Sequence, residues 1–300
     1  MGPAQIDLIV ALVDLGSLNA AAKHLGRSQP AVTKALKKIE VSVGAPLFVR
    51  TSQGVVPTEV GLAAFERCRK IRNDLRRLDE DMHQIAGDFV GEVSVVVSPL
   101  AALKIIPTVA VRFRKRFPNV SLTIIGGHPP DAFRLLRAGS ADFVIGPAPE
   151  AGHGAGLVAR DLFRTELVFA TGAGSRHLNN PTPQSLAKGE WVKIGLVKRR
   201  PIYADYFIAQ GLPEPSPVVI SDSVLSVLSM VRDTELIASL PRPVFDEVAA
   251  QWNLHEIKCA EAMPIIRVTM TAPKDRVQTR AAAVFADLVK DVSAQIAANL

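Results

Sequence analysis

The sequence lacks the features that mark secreted, membrane-spanning and metal-binding proteins. Its 300 residues contain two cysteines, Cys68 and Cys259, which are too few for a disulfide framework and lie in no metal-ligand spacing. No apolar run reaches the roughly 18 residues that span a bilayer. The N-terminal stretch MGPAQIDLIVALVDLG has no basic start and is interrupted by Asp7 and Asp14, unlike a signal peptide. We therefore expect a cytoplasmic protein that contacts no membrane and holds no metal or cofactor.

The charge of the chain is concentrated near its N-terminus. The composition, 48% hydrophobic and 21% charged, is that of a globular protein, and the length suggests about two domains. The net charge is +6, but residues 23–72 alone contain ten Lys or Arg against three Glu, so the rest of the chain is close to neutral. A basic N-terminal module on a neutral body favours a nucleic-acid reader joined to a second function.

A helix-turn-helix is predicted between residues 17 and 40. The first helix has apolar residues at positions i, i+3, i+4 and i+7, starting from Leu18. A Gly26-Arg27 turn separates it from a second helix that Ser28 caps. Pro30 lies in the first turn of that helix, where its missing N–H costs nothing. Two short helices joined by such a turn are typical of DNA-binding proteins.

The second helix separates an apolar face from a cationic one. On a wheel of 100° per residue, one side is apolar, and the other carries Pro30, Thr33, Lys34, Lys37 and Lys38, with Gln29 at the flank. Gln29, Thr33 and Lys34 are residue types that reach base edges. Lys37 and Lys38 suit phosphates. A solvated helix face with no ligand is the alternative interpretation of the same charges.

A small hairpin is predicted directly after the cationic helix. Two apolar runs, 47–50 and 55–57, flank a Ser52-Gln53-Gly54 turn, and Thr58 then caps a further helix. This order of elements resembles the LysR-type bacterial transcriptional regulators. The residues that carry the resemblance are Ala21, Ala22, Leu25, the run from Ser28 to Thr33, Ile39, Glu40, Gly44, Leu47, Phe48, Arg50, Thr58 and Gly61.

The resemblance implies roles for individual residues of the N-terminal module. Gln29, Pro30, Thr33 and Lys34 are expected to enter the major groove of double-stranded DNA, together with Ser28 at the start of the helix. Arg50 and Thr58 are expected to touch the DNA backbone. The hairpin departs from the family in carrying Thr51-Ser52-Gln53 where basic residues are common.

A long helix is predicted from Glu59 to about Ala86. Its apolar residues follow one another by alternating steps of 3 and 4, which is a heptad seam, and charged residues lie between them. The seam consists of Ala64, Cys68, Ile71, Leu75, Leu78, Met82 and Ile85. We expect Ile71, Leu75, Leu78, Met82 and Ile85 to form a dimer contact and Cys68 to pack in the same seam; packing on the chain's own domain is the alternative. Gly87–Gly91 would end the helix and form a hinge.

After Gly91 the pattern changes to alternating strands and helices. Val-rich and Ile-rich runs alternate with amphipathic segments, which predicts βαβ units and a parallel sheet. Two such α/β lobes joined by crossing strands match the effector domain of the resembling family, which is similar to type 2 periplasmic binding proteins. The fold expected is thus α+β and multidomain: winged helix-turn-helix (1–58), linker helix and hinge (59–90), and a two-lobed domain (91–300). Lobe I would comprise about 91–161 and 267–300, and lobe II about 162–266.

Ligands of such sheets bind beyond the carboxyl ends of the strands, at helix N-termini. The residues in those positions are Ser98, Leu100, Ala101, His128, Pro147, Gly195, Leu196 and Asp222. The resemblance places effector contacts most directly on Ser98, then on His128 and Gly195. For Ser98 a plain helix cap is the alternative, and for His128 a surface loop. We expect a small organic anion as effector.

The sequence therefore predicts a DNA-binding transcriptional regulator controlled by a small molecule. A homodimer or homotetramer would address an interrupted palindrome in double-stranded DNA, and RNA polymerase stays open as a further partner. An enzyme or a solute-binding protein of the same two-lobed architecture is the alternative. Neither G-x-S-x-G, a P-loop nor a metal-ligand cluster occurs, so no catalytic residue is predicted and an enzyme is not favoured.

Overall fold

The N-terminal module folds around one apolar core. In the computed structural model, which describes residues 1–150, 152, 154–195, 197 and 200–299, it comprises three helices and a hairpin. These are α1 (Pro3–Leu15), α2 (Leu18–His24), α3 (Gln29–Val43) and the antiparallel pair β1 (Phe48–Thr51) and β2 (Gly54–Pro57). Ser17 and Ser28 accept N–H hydrogen bonds at the starts of α2 and α3, as N-caps do. The predicted winged helix-turn-helix is confirmed.

The hairpin is fixed against the first helices at its tip. The N–H of Val55 donates to the carbonyl of Gly16 at 2.9 Å. Gly54 has a φ of +137°, and a Cβ there would lie 2.3 Å from the same carbonyl oxygen. A glycine is therefore required at this position both by the backbone conformation and by the close approach. The hairpin, which is the wing of the winged helix-turn-helix, consequently keeps one orientation relative to the helices of the module.

A single long helix, α4 (Glu59–Ile85), connects this module to the rest of the chain. Thr58 caps it by accepting the N–H of Gly61 at 3.0 Å. Its 27 residues give a length of about 40 Å at 1.5 Å per residue. The helix ends in the short loop that the glycines at 87 and 91 predict.

The first lobe is a parallel sheet covered by helices. Its strands are β3 (Gly91–Val97), β4 (Val120–Gly126) and β5 (Phe143–Pro147), with β3 paired in parallel to both others. The helices are α5 (Pro99–Lys104), α6 (Ile106–Arg116), α7 (Asp131–Arg137) and, from the end of the chain, α12 (Arg280–Ala297). Phe113, Phe143 and Phe285 pack together in the core between sheet and helices.

Two antiparallel strands run through both lobes. They are β6 (Leu157–Gly172) and β11 (Ile265–Pro273), paired from Leu157 with Pro273 to Glu166 with Ile265. The pairing register shifts between Val268 and Thr269. The expected lobe boundaries, near 161 and 267, fall inside these strands, so the two lobes share a continuous backbone connection.

The described residues of the second lobe form three further strand pairings and four α-helices. Its elements are α8 (Pro183–Ala187), β7 (Trp191–Ile194), α9 (Ala204–Ala209), β8 (Pro217–Ser221), α10 (Val224–Asp233), β9 (Ala238–Pro241), α11 (Arg242–Trp252) and β10 (Leu254–Ile257). β6 pairs with β9 and β10, and β7 pairs with β8. The predicted two-lobed α/β fold is confirmed. Across the described residues, no helix is both long and apolar enough to cross a membrane.

Candidate nucleic-acid interface and interlobe cavity

The outer face of α3 is open to solvent and cationic. Val32, Leu36 and Ile39 are buried in the N-terminal core. The opposite face leaves exposed the side chains of Ser28, Pro30, Lys34, Lys37 and Lys38, with Gln29 and Thr33 partly exposed. The helix therefore packs one face on its own module and leaves the other exposed to solvent.

The two polar side chains in the middle of this surface are linked. The Gln29 side-chain amide donates to the Thr33 hydroxyl at 3.1 Å, one helical turn away. This contact restricts the rotamer of Gln29, so the amide would lose less conformational entropy on binding a base edge. The Ser28 hydroxyl, in contrast, already accepts the N–H of Ala31 at 3.4 Å as the helix cap.

A carboxylate joins the cationic helix to the hairpin. Glu40, near the end of α3, accepts the N–H groups of Leu47 at 2.8 Å and Phe48 at 3.2 Å. The hairpin thus begins at a fixed point relative to α3, and Arg50 extends from it, exposed, on β1. Helix and wing form one rigid surface.

Thr58 does not fit its expected role at the DNA backbone. Its hydroxyl donates to the Pro46 carbonyl at 2.8 Å and accepts the N–H of Gly61 at 3.0 Å. A hydroxyl has a single proton, and here that proton is used inside the module. Thr58 therefore has no donor to offer a phosphate and serves as the cap of α4.

The heptad seam of α4 divides into two parts. Cys68 is 3% exposed and packs in the N-terminal core, with its Sγ 3.7 Å from the Met1 sulfur, and burial raises the pKa of its thiol. The expectation that Cys68 lies in a dimer seam is wrong, because the first turns of α4 belong to the module's core. The remaining residues, Ile71, Leu75, Leu78, Met82 and Ile85, are 46–59% exposed.

The opposite face of α4 is polar and contacts lobe I. Arg77 pairs with Asp142 and donates to the Gly139 carbonyl at 2.8 Å. Asn73 donates to the Ala138 carbonyl at 2.9 Å. These carbonyls follow the end of α7, where a helix leaves its last acceptors unpaired. Helix α4 supplies the missing donors.

A third polar residue of α4 closes the contact at the hinge. The Gln84 side chain is 1% exposed, donates to the Val90 carbonyl at 3.0 Å and accepts the N–H of Ala281 at 3.0 Å. One side chain thus holds the end of α4, the connecting loop and the start of α12. The Gln84 side chain therefore connects the loop at 87–91, which was predicted to be a hinge, to both α4 and α12.

A small cavity of about 100 Å³ lies between the two lobes. Four of the predicted effector residues line it: Ser98, Leu100, His128 and Pro147. Ser98 also accepts the N–H of Ala101 at 3.4 Å, so it acts as a cap while its own proton can still be donated. The cap and ligand-contact roles are therefore compatible at this residue.

Three of the other predicted residues occupy different positions. Ala101 is fully buried in the core of lobe I and does not reach the cavity. Gly195 has a φ of +117°, and a Cβ there would be 3.9 Å from the His128 ring, so it lies beside the cavity rather than on its wall. Asp222 is exposed at a neighbouring cleft of about 720 Å³ that also meets His128. Leu196 lies outside the described residues.

Lys193 is the functional candidate that the sequence analysis missed. It is 5% exposed, lies on β7 and lines the cavity, where its ammonium donates to the Val197 carbonyl at 3.2 Å. The available signal was a lysine inside the otherwise apolar strand WVKI. Arg200, Tyr203 and Ser239 also line the cavity and were not predicted.

Arg200 contributes little unbalanced charge to the cavity. Its guanidinium donates to Asp205 at 2.7 Å and to Glu214 at 2.9 Å, and these contacts raise its pKa. Among the described residues that line the cavity there is no Asp or Glu. The described lining is therefore mainly apolar, with Lys193, Arg200 and His128 as its basic residues.

Two sequence families match the chain in consecutive segments. Residues 3–62 match the family described as "Bacterial regulatory helix-turn-helix protein, lysR family". Residues 86–294, more than half of the chain, match the family described as "LysR substrate binding domain". The two matches leave most of α4, residues 63–85, between them as the connection.

Individual proteins show the same similarity over most of the chain. The HTH-type transcriptional regulator GalR of Pseudomonas putida is 31% identical over 240 residues, which are 79% of this chain and 60% of GalR. The chain thus spans less than two thirds of that relative. GbpR of Rhizobium radiobacter, another HTH-type transcriptional regulator, is 28% identical over a region that covers 83% of this chain and 84% of the length of GbpR.

A solved structure extends the likeness to the whole fold. The LysR family transcriptional regulator CbnR has a TM-score of 0.70 at 20% identity, covering 98% of this chain and 99% of its own. A second structure, of full-length CbnR with its target DNA, also has a TM-score of 0.70 and covers 97% of this chain and 100% of that one. At this identity the likeness concerns the fold alone.

Proposed function

The chain belongs to the LysR family of effector-responsive, DNA-binding transcriptional regulators, and from this premise we propose how its residues divide the work. The outer face of α3 reads double-stranded DNA through Gln29, Pro30, Thr33 and Lys34. Lys37, Lys38 and Arg50 hold phosphates. The observation that carries the proposal is that α3 buries one face in its own module and leaves a contiguous cationic face exposed.

The assembly proposed is a homodimer or a tetramer built from dimers. The five apolar residues of α4 from Ile71 to Ile85 are exposed in the single chain, and a second α4 would remove them from water. Two paired modules would then address two half-sites of an interrupted palindrome. The CbnR structure with its target DNA supports DNA as the partner for this fold. A cytoplasmic location and a contact with RNA polymerase belong to the same proposal.

The effector is proposed to be a small organic anion in the interlobe cavity. Ser98, Leu100, His128 and Pro147 would contact it from lobe I and the crossing region, and Gly195 would leave room for the His128 ring. Its binding would favour one arrangement of the lobes and so shift the spacing of the paired modules. The relatives are named as transcriptional regulators, and catalysis is no part of the proposal.

The DNA-reading surface is tested by mobility shift with duplex from upstream of the protein's own gene. Pro30→Ala with Thr33→Ala should weaken sequence-specific binding about 10-fold or more, because direct base contacts are each worth about 1–3 kcal/mol. The melting temperature should stay nearly unchanged, since both side chains lie outside the core. A large loss of stability, or specific binding equal to that of the wild type, would contradict the assignment.

The phosphate contacts are tested by the salt dependence of the same binding. Lys37→Ala with Lys38→Ala should reduce the slope of log K against log salt by about 2 and weaken binding to all sequences alike. Lys115→Ala, which removes an exposed cation from α6 in lobe I, is the matched control and should leave the slope unchanged. An unaltered slope in the double variant would remove these lysines from the interface.

A further inference from the structure

We propose that the cleft of about 720 Å³ beside the interlobe cavity binds a second small molecule, a primary amine with an apolar body. This site lies outside the cavity assigned to the anionic effector, and it takes a ligand of the opposite charge. It gives a role to Asp222, which lines the cleft and not the cavity. The inference does not depend on which anion the cavity holds.

The cleft is formed by both lobes. Leu103 lines it from α5 of lobe I. The apolar residues that line it from α10 and α11 of lobe II are Val224, Leu225, Leu228, Val244, Val248 and Trp252. Lys104 and Glu247, which neighbour Leu103 and Val248 in the sequence, form an ion pair between the lobes at 2.8 Å. A ligand in this cleft would therefore contact lobe I and lobe II at once.

The walls of the cleft fit a ligand with a sizeable apolar body. Sites for small organic molecules measure about 300–1,000 Å³ and are mainly apolar, with a few polar groups that fix the orientation of the ligand. The cleft has this size and this composition. Leu225 is 66% exposed at its edge, and covering such a side chain with a ligand removes apolar surface from water. An aromatic ring or a branched alkyl group suits these walls.

The charged groups of the cleft determine the sign of the ligand's charge. Among the described residues that line it, Asp131 and Asp222 carry carboxylates, His128 is the one basic residue, and none is Lys or Arg. Asp131 already pairs with Arg134 at 3.1 Å on the surface. The Asp222 carboxylate has no hydrogen bond or ion pair within the part of the chain that the structure describes. Asp222 is therefore available to a cation.

The ammonium of the ligand is assigned to Asp222 and not to another part of the two spaces. The described lining of the cavity includes no Asp or Glu with which an ammonium could pair. Trp252 offers an aromatic surface in the cleft, but Arg232 already lies over its ring, 5.7 Å from the centroid. The charge of Arg232 is balanced, because it bonds to both carboxylate oxygens of Asp233 at 2.7 Å. Trp252 is therefore a wall for the apolar body.

The test measures the binding of three probes to the full-length protein by titration calorimetry. The probes are 2-phenylethylamine, its neutral counterpart 2-phenylethanol, and ethylamine, which has the charge without the ring. We expect 2-phenylethylamine to bind about 5-fold or more tightly than 2-phenylethanol, because hydrogen bonds between charged groups are the stronger ones. Ethylamine should bind about 10-fold more weakly than 2-phenylethylamine, because it buries no ring. No binding of 2-phenylethylamine, or equal binding of either other probe, would overturn the inference.

Two matched variants assign the ammonium contact to Asp222. Asp222→Asn keeps the shape of the side chain and should weaken 2-phenylethylamine about 5-fold while changing 2-phenylethanol less than about 2-fold. Asp291→Asn, which removes the same charge from an exposed position on α12, is the control and should leave both affinities unchanged. An unchanged affinity of Asp222→Asn for the amine, an equal loss for amine and alcohol, or the same loss in Asp291→Asn would overturn the assignment.

The binding of duplex DNA separates this inference from the proposed function. If the wild type fails to shift the upstream duplex, the proposed DNA contacts are refuted, whatever the amine titration shows. If it shifts the duplex and binds no amine, the proposed function stands and the cleft is not an amine site. The comparison of probes uses the wild type alone, so it decides the inference even if Asp222→Asn folds poorly.

Discussion

The two faces of α4 invert the usual arrangement of an amphipathic helix. The face that packs on lobe I is polar, with Asn73, Arg77 and Gln84 making hydrogen bonds, whereas the face with Leu75 and Leu78 is apolar and exposed. A helix that served only its own chain would bury the apolar stripe. The difference teaches that α4 meets its own lobe through polar contacts to carbonyl groups, and it supports the proposal that a second copy of the chain covers the apolar face.

The polar contact is specific in a way that an apolar one is not. Asn73 donates to the Ala138 carbonyl, and Arg77 donates to the carbonyls of Gly139 and Ala141, all beyond the end of α7. Arg276 adds bonds to the carbonyls of Ala141 at 3.0 Å and Leu136 at 2.8 Å. Such a pattern of donors is satisfied in one register only, because a shift by one residue would leave buried groups unpaired. The geometry of α4 on its own lobe is therefore fixed within the single chain.

The largest effect is expected on the apolar face. Leu75→Glu with Leu78→Glu should convert the assembly to monomers, because two charges per chain would be buried in the α4 contact. Light scattering measures the mass. Ile208→Glu, which replaces an exposed apolar residue on α9, is the control and should leave the mass unchanged. An intact dimer in the double variant would show that the stripe faces solvent or another surface.

The next largest effect is expected at the centre of the polar face. Arg77→Met leaves the Asp142 carboxylate buried, with the N–H of Ser94 at 2.8 Å among its contacts, and should destabilise the chain by about 3–5 kcal/mol. Denaturant unfolding measures the loss. The double variant Arg77→Met with Asp142→Asn should recover part of it, since the unpaired charge is gone. Additive losses in the double variant would mean that the two residues do not interact.

A smaller effect is expected from a neutral donor on the same face. Asn73→Ala removes the hydrogen bond to Ala138 and should cost about 1–2 kcal/mol, because the carbonyl is then buried and unpaired. The same unfolding assay applies, and the monomer–dimer equilibrium should not move. A shift in mass would instead show that the polar and apolar faces are coupled.

The smallest effect concerns pH. Burial raises the pKa of the Glu80 carboxyl above its ordinary value of 4.5, although Arg76 and Arg77 oppose this. The folded chain therefore binds more protons than the unfolded chain between pH 4.5 and the raised value, so the stability contributed by Glu80 falls as pH rises through this window. Glu80→Gln should flatten that part of the stability curve. Parallel curves for variant and wild type would remove Glu80 as the cause.

The sequence predicted the N-terminal module well because its signals are local. Ser17 and Ser28 as caps, Pro30 in the first turn and the glycine-bounded hairpin need no information from distant residues. The strand-and-helix alternation of the second domain was predictable for the same reason.

The contacts of the sites were less accessible to prediction because they depend on tertiary structure. In the sequence, the apolar residues of α4 form one continuous heptad pattern. Only the packing of Cys68 into the N-terminal core shows that the exposed part of this pattern begins after Cys68. Thr58 is a residue type that can contact a phosphate, and only the structure shows that its hydroxyl donates to the Pro46 carbonyl instead. Lys193 lies in a strand whose pattern suggests a core, and the cavity beside it forms only when two lobes meet.

The bridging of the connecting loop by Gln84 has a consequence for how a signal can travel. This one buried side chain, on α4, bonds to both Val90 and the start of α12. Helix α4 and lobe I are therefore held together as one rigid unit. In the proposed regulator, an effector that draws the lobes together would then move lobe II while α4 and lobe I stay together. The change would be passed on through contacts of lobe II with a neighbouring copy of the chain, and not by bending at Gly87 and Gly91.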